Sequence, residues 1–162
     1  TMAKNKQPVT PAIRMLRKHK VPFTGHLYNY EEHGGTAVCA RELQVDEHAV
    51  IKTLILETDQ GDPLIVLMHG DREISTKELA RLLGVKQIAP CAPQTANRHS
   101  GYQVGGTSPF GTRKDMPVYM EETIAELPII YINGGKRGFL VAMTPRDVIK
   151  VLQPAMVQVA QP

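Results

Sequence analysis

Two apolar, β-branched runs joined by a turn constrain this chain more than any other feature. Ala49–Glu57 and Leu64–His69 flank Asp59-Gln-Gly-Asp-Pro63, a spacing that predicts a β-hairpin. Lys52 interrupts the first run, inside Ala49-Val-Ile-Lys-Thr-Leu-Ile-Leu56. An unpaired ammonium is costly to bury, so a lysine on a central strand either snorkels to an edge or serves a ligand. Thr53 beside it points to the opposite face if the strand is regular.

The flanking segments predict helices and further strands. Thr10-Pro11 is a cap followed by proline, opening a helix that ends near Lys20. Residues 23–30 read as a strand, and Thr36 as the cap of a helix through Leu43. Ser75-x-x-Glu78 opens a helix that stops at Gly84. A short strand at Val85–Ile88 and a short helix at Pro93–Arg98 follow. Val118–Met120, Ile129–Ile132 and Phe139–Ala142 are further strands, and Thr144-Pro145 starts a last helix toward Leu152. This order is mixed rather than strictly alternating. It predicts a single α+β domain, a mixed and mostly antiparallel sheet or partial barrel flanked by helices. The domain is expected at 10–152, with 1–9 and 153–162 as flexible termini.

Composition narrows the function. The chain has 162 residues and a net charge of +3, which permits an acidic partner without requiring one. Tryptophan is absent and aromatics make up 5%, which disfavours a base-stacking platform. Cys39 and Cys91 sit in no CxxC or Cys/His spacing, and the six histidines are scattered singly. No metal and no cofactor is therefore expected. No apolar run has the length of a membrane helix and no signal peptide is visible, so a cytoplasmic location is expected, without a membrane.

Chemistry concentrates in two glycine-rich stretches. Gly101-Tyr-Gln-Val-Gly-Gly-Thr-Ser-Pro-Phe-Gly-Thr-Arg-Lys114 places glycines beside Thr107, Ser108, Pro109 and two cations. Glycine lets main-chain amides approach a ligand, and proline stiffens the loop, so the stretch suits an anion or a developing oxyanion. Asn133-Gly-Gly-Lys-Arg-Gly138 repeats glycine beside cations. No Walker loop, dinucleotide fingerprint or GxSxG elbow is present, and the adjacent carboxylates Asp46/Glu47 and Glu121/Glu122 diverge on any regular element.

Val50-Ile-Lys-Thr-Leu54, Gly101 through Pro109 and Ile130 through Gly138, in that order, resemble the signature stretches of the YbaK family. These are free-standing aminoacyl-tRNA deacylases related to the editing domain of bacterial prolyl-tRNA synthetase. The resemblance implies removal of a wrong amino acid from tRNA, most typically cysteine from tRNA(Pro), with prolyl-tRNA synthetase as a possible partner. It casts Lys52 as the residue holding the 3′-terminal adenosine end, followed by Thr53. Gly105, Gly106, Thr107 and Ser108, closed by Pro109, match the loop whose amides would cradle the ester carbonyl. Tyr28, Gly101, Asn133, Gly134, Gly135, Lys136 and Arg137 become substrate-binding residues. In cysteine-specific members the substrate's own thiol would attack its ester and release a thiolactone; members acting on alanine, serine or threonine would position a water. Gly35, Asn133 and Leu140 stand where cysteine-specific members carry phenylalanine, serine and aspartate. Leu140 implies a more apolar pocket, suited to alanine or 2-aminobutyrate. A tRNA- or synthetase-binding module without activity is the other reading, and the oligomeric state stays open.

Overall fold

A computed structural model describes residues 7–162. Helix α1 spans Pro11–Lys18, α2 Gly35–Leu43, α3 Thr76–Leu83, α4 Pro93–Ser100 and α5 Pro145–Leu152. The strands are β1 (Thr24–Leu27), β2 (Val50–Thr58), β3 (Pro63–His69), β4 (Glu73–Ile74) and β5 (Ile88–Pro90). They continue with β6 (Val118–Glu121), β7 (Ile130–Lys136), β8 (Phe139–Met143), β9 (Ala155–Val157) and β10 (Ala160–Gln161). The main sheet runs β1-β8-β7-β2-β3-β6-β9, with β5 also on β2, while β4 and β10 form a separate ladder. Pairing is mixed: β2 is antiparallel to β3 and β5 but parallel to β7, and β3/β6 and β6/β9 are parallel. The α+β architecture and the central hairpin agree with the sequence reading.

Local chemistry sets most helix starts. The hydroxyls of Thr10, Ser75 and Thr144 accept from the amides of Ile13, Glu78 and Asp147, satisfying donors that the first turn leaves free. Thr36 departs from its expected role. Gly34 is the cap of α2, and the Thr36 hydroxyl instead donates to Glu47 Oε2 at 2.8 Å, pinning the helix to the start of β2. The first strand is also shorter than expected. It ends at Leu27, opposite Phe139 where β8 begins, and the Tyr28 amide makes one more bond, to the Gly138 carbonyl at 2.9 Å. The strand expected at Val85–Ile88 lies at Ile88–Pro90, where it reaches β2.

The largest correction concerns the C-terminal residues, expected to be flexible. Ala155–Val157 adds to β6 and Ala160–Gln161 pairs with β4. Val157 and Val159 are buried with Leu56, Leu64, Val66, Met68 and Leu79 in a second core, and the Val159 amide donates to the buried Glu121 carboxylate at 2.7 Å. Of the expected N-terminal tail, residues 1–6 lie outside the described residues. Truncation after Leu152 is expected to lower unfolding free energy by about 3–6 kcal/mol, from uncovering two valines and stranding a carboxylate. The urea midpoint checks this; an unchanged midpoint would make the tail an ornament.

Two histidines far apart in sequence come together. The rings of His48 and His69 stack at 3.7 Å, and His48 Nδ1 lies 2.8 Å from Asp71 Oδ1. Ligand atoms of His48, His69 and Asp71 fall within 4.8 Å of one another. Both nitrogens of buried His69 already face oxygens, the His48 carbonyl at 2.8 Å and the Thr123 hydroxyl at 2.7 Å, so the trio reads as a hydrogen-bonded buttress. Burial holds the His69 pKa below its ordinary value. The folded state then binds this proton less readily than the unfolded chain. Stability from this group is full above the ordinary histidine range and is lost as pH falls below it. Tm is expected to drop between about pH 7 and about pH 5, and His69→Gln to flatten part of that drop.

Candidate functional site

The site lies where the sheet splits. On one edge of β2, β7 pairs only at Val50 and Ile51, and β5 only from Leu56 to Thr58. Between them, residues 52–54 have no strand partner on that side. The Ile55 carbonyl accepts from the Cys91 amide on this edge, and alternation along the strand aims the main-chain groups of Thr53 into the same gap. Thr53 Oγ1 is buried and without a hydrogen-bond partner, the one such side-chain atom among the described residues. An unpartnered hydroxyl beside an unpaired strand edge is a receptive surface for a polar ligand.

A cavity of about 570 Å³ opens at this split, a size usual for small-molecule sites. Because it enters through the gap, both Lys52 and Thr53 line it although they leave β2 on opposite faces. Tyr28, Gly105, Thr107, Asn133 and Arg137 line the same cavity. The lysine and the glycine-rich bend therefore share one space. The Lys52 ammonium lies 3.6 Å from Glu73 Oε1. Glu73 is exposed, so this pair is weak and exchangeable. Glu73→Gln is expected to lower KM for an anionic substrate about 2- to 5-fold at unchanged kcat, since exposed pairs contribute up to about 1 kcal/mol. A raised KM would show that Glu73 orients the lysine rather than competing for it.

Asn133 joins the two glycine stretches. Its Oδ1 accepts from the amides of Gly135 at 2.6 Å and Lys136 at 3.1 Å, while Nδ2 donates to the Gly105 carbonyl at 3.3 Å. Arg137 Nε donates to the Val104 carbonyl at 2.9 Å, and its guanidinium stacks over Tyr30 at 5.1 Å. The bend is thus held from outside by the second loop. Among the described residues the amides of Gly105 and Thr107 have no acceptor, which leaves them for a ligand.

The other residues expected in the site shape it from behind. The Gly106 amide donates to the Gln103 carbonyl at 2.8 Å, so it is not free for an oxyanion. Ser108 is fully buried and its hydroxyl accepts from the Phe110 amide, which turns it away from the cavity. Pro109 is buried behind it, and Gly101 is the left-handed cap of α4. Gly134 packs on Phe139, Gly135 lies against Thr10 and Tyr102, and Lys136 is exposed outside the cavity. Of the stretch from 105 to 109, Gly105 and Thr107 are the residues that line the cavity.

Some lining residues carry no signal in the sequence. Tyr30, Glu31, Glu32 and His33 reach the cavity from the segment between β1 and α2. Leu140, Val50 and Cys39 form an apolar floor with Tyr28 packed against them. Gly35 also lines the cavity, and a Cβ there would meet nothing within 4 Å. Burial pushes the Tyr28 phenol and the Cys39 thiol up, and burial with Glu57 pushes Cys91 up to about 11. Both cavity thiols are therefore protonated at neutral pH and are poor nucleophiles.

Comparison with known proteins shows the family and the fold. The aminoacyl-tRNA editing domain family model matches residues 31–151. EbsC of Enterococcus faecalis, a candidate Cys-tRNA(Pro)/Cys-tRNA(Cys) deacylase, is 30% identical over 93% of this chain and 93% of its own. A proline–tRNA ligase of Brachyspira hyodysenteriae is 28% identical over 53% of this chain, a match spanning 15% of the ligase. Among solved structures, a candidate trans-editing enzyme for prolyl-tRNA synthetase superposes with a TM-score of 0.81 at 17% identity, over 96% of this chain and 100% of that one. No helix among the described residues is long and apolar enough to cross a membrane. By the extent of the family match and the likeness to EbsC, the chain belongs to the aminoacyl-tRNA editing domain family.

Proposed function

We propose that this protein deacylates mischarged tRNA in trans, with the acylated 3′-terminal adenosine seated in the split between β5 and β7. The observation that carries this reading is the shared cavity, lined together by Lys52, Thr53, Gly105 and Thr107. Lys52 would hold the anionic adenosine end, Thr53 the polar groups beside the ester, and the Gly105 and Thr107 amides the charge that develops on the carbonyl oxygen. Position and oxyanion stabilisation suffice when the nucleophile comes with the substrate or from water.

The aminoacyl side chain would meet the floor of Leu140, Val50 and Cys39, which carries no charge. That favours a small uncharged side chain, and cysteine on tRNA(Pro) leads because of the likeness to EbsC. With cysteine, the thiol sulfur bonds to the carbonyl carbon, the ester C–O bond breaks and the thiol proton ends on the ribose oxygen. With alanine, 2-aminobutyrate, serine or threonine, water takes the place of the thiol, and Glu32 or His33 at the lip can accept its proton. A pocket of this kind resolves neighbours differing by a methylene only modestly, by about 1–3 kcal/mol. The protein would work in the cytoplasm, where prolyl-tRNA synthetase is a possible partner.

Single-turnover deacylation of Cys-, Ala- and Ser-tRNA(Pro) tests the proposal. Cleavage of at least one ester well above its spontaneous rate is expected, with thiolactone or free amino acid identifying the route. No cleavage of any of them would leave a non-catalytic binding module as the better reading.

A further inference from the structure

Charge is distributed unevenly along this chain. No acidic residue occurs between Glu78 and Asp115, nor between Glu126 and Asp147. These two stretches supply β5, α4, the glycine-rich bend, β7 and β8, which build the cavity wall from Pro90 to Arg137. The acidic lining residues, Glu31 and Glu32, come from the segment after β1, outside both stretches, and Glu31 is paired with Arg41.

The cations of the acid-free stretches are left uncompensated. Ion pairs among the described residues involve Arg41, His48, Lys52, Arg72 and Arg81, and none involves Arg98, Arg113, Lys114, Lys136 or Arg137. All five are exposed. Residues 1–6 include no carboxylate that could reach them.

The fold then joins these cations into a ridge that starts at the cavity. Arg137 holds the Val104 carbonyl, and the Val104 amide donates to Asn97 Oδ1 on α4 at 3.2 Å. One residue further along α4 is Arg98. The chain beyond the bend folds back along the end of this helix: the Arg113 amide donates to the Ser100 carbonyl at 3.0 Å, and the Lys114 amide to the His99 carbonyl at 2.8 Å. Gly101 permits this return through its left-handed φ of 81°. Arg98 and Lys114 both lie near enough to His99 to hold its pKa down, behind burial as the first cause. Among the described residues, Glu57 is the one carboxylate that acts on His99 against them, and it pairs with none of the three cations, so the cluster keeps an excess of positive charge that favours an anion.

We infer that Arg98, Arg113 and Lys114 form a docking ridge for the phosphodiester backbone of the RNA duplex that adjoins the acylated 3′ end. This deepens the proposed function and rests on the split in the sheet being the ester site. The ridge has no exposed aromatic side chain, so it would contact phosphates rather than stack on bases. It adds binding without reading sequence, which suits an enzyme whose selection lies in the aminoacyl pocket.

The test compares wild type, an Arg98→Gln/Arg113→Gln/Lys114→Gln variant and a distant control, Lys77→Gln/Lys150→Gln. Each is assayed on an aminoacylated acceptor-stem minihelix and on an aminoacylated CCA trinucleotide across a KCl series. The ridge variant is expected to lose about 10- to 100-fold in kcat/KM on the minihelix at low salt, with a log–log salt slope shallower by about 2–3. The trinucleotide should be cleaved within about twofold of wild type, as three lost phosphate contacts lie outside it. If the triple variant melts early, the three single variants each carry about one unit of that slope. Equal losses on both substrates, or none on the minihelix, would overturn the ridge. Fluorescence anisotropy with uncharged minihelix separates it from the deacylase reading. If no ester is cleaved but the variant still weakens minihelix binding, the deacylase reading falls and the ridge stands; if wild type binds no minihelix, the ridge falls.

Discussion

Lys52→Ala is expected to lower kcat/KM for aminoacyl-tRNA by about 100- to 1,000-fold, comparable to removing a principal electrostatic contact of a transition state. The lysine stands on β2 where strand pairing lapses on one edge, and it lines the cavity that opens there. Its carboxylate partner, Glu73, is exposed and will resolvate when the lysine is removed. Stability should therefore change by less than about 1 kcal/mol, as for other exposed pairs. Lys52→Arg should recover part of the activity, because it keeps the charge but spreads it over a planar fork. Loss of the melting transition along with activity would make the lysine a structural residue. Equal activity of wild type and Lys52→Ala would remove it from the site.

Gly106→Ala is expected to be nearly as damaging, by a different route. A Cβ at 106 would lie 2.7 Å from the Arg137 nitrogen and 2.9 Å from the Lys136 carbonyl carbon, both main-chain atoms that cannot swing aside. The bend would have to move off the second loop, breaking the Asn133 and Arg137 bonds that hold Gly105 and Val104. A misplacement of about 1 Å in a positioned catalytic group can lower rate about 100-fold, which is the expected loss here. Stability should fall by about 1–3 kcal/mol, in the range of overpacked sites. Gly61→Ala is the control. Its φ of 80° strains an alanine, but a Cβ there meets nothing within 4 Å, so it should cost stability without touching kcat/KM. Equal activity losses in both variants would mean that general destabilisation, not the bend, is being read.

Local signals made much of this legible in the sequence. The caps at Thr10, Ser75 and Thr144 act within one helical turn, and the Asp59–Pro63 connection fixes its hairpin from adjacent residues. Lys52 stood out because it breaks an apolar strand, and the two glycine stretches because they concentrate φ freedom beside cations. The split in the sheet was not legible, because it depends on β5 and β7 approaching one edge of β2 from distant parts of the chain. The strands of the tail were hidden for the same reason: Ala155–Val157 and Ala160–Gln161 are too short to announce themselves and are held by β6 and β4. The role of the Ser108 hydroxyl was not legible either: it closes a turn by accepting from the Phe110 amide, a bond that depends on how the bend folds.

A crystal structure with a non-hydrolysable 3′-aminoacylamino-3′-deoxyadenosine bound to wild type tests the central claim most directly. The predicted result is ligand density in the gap between β5 and β7, with the adenosine end at Lys52, the carbonyl oxygen facing the Gly105 and Thr107 amides, and polar contact to Thr53. Density on another face, or an acyl carbonyl pointing away from the bend, would contradict it.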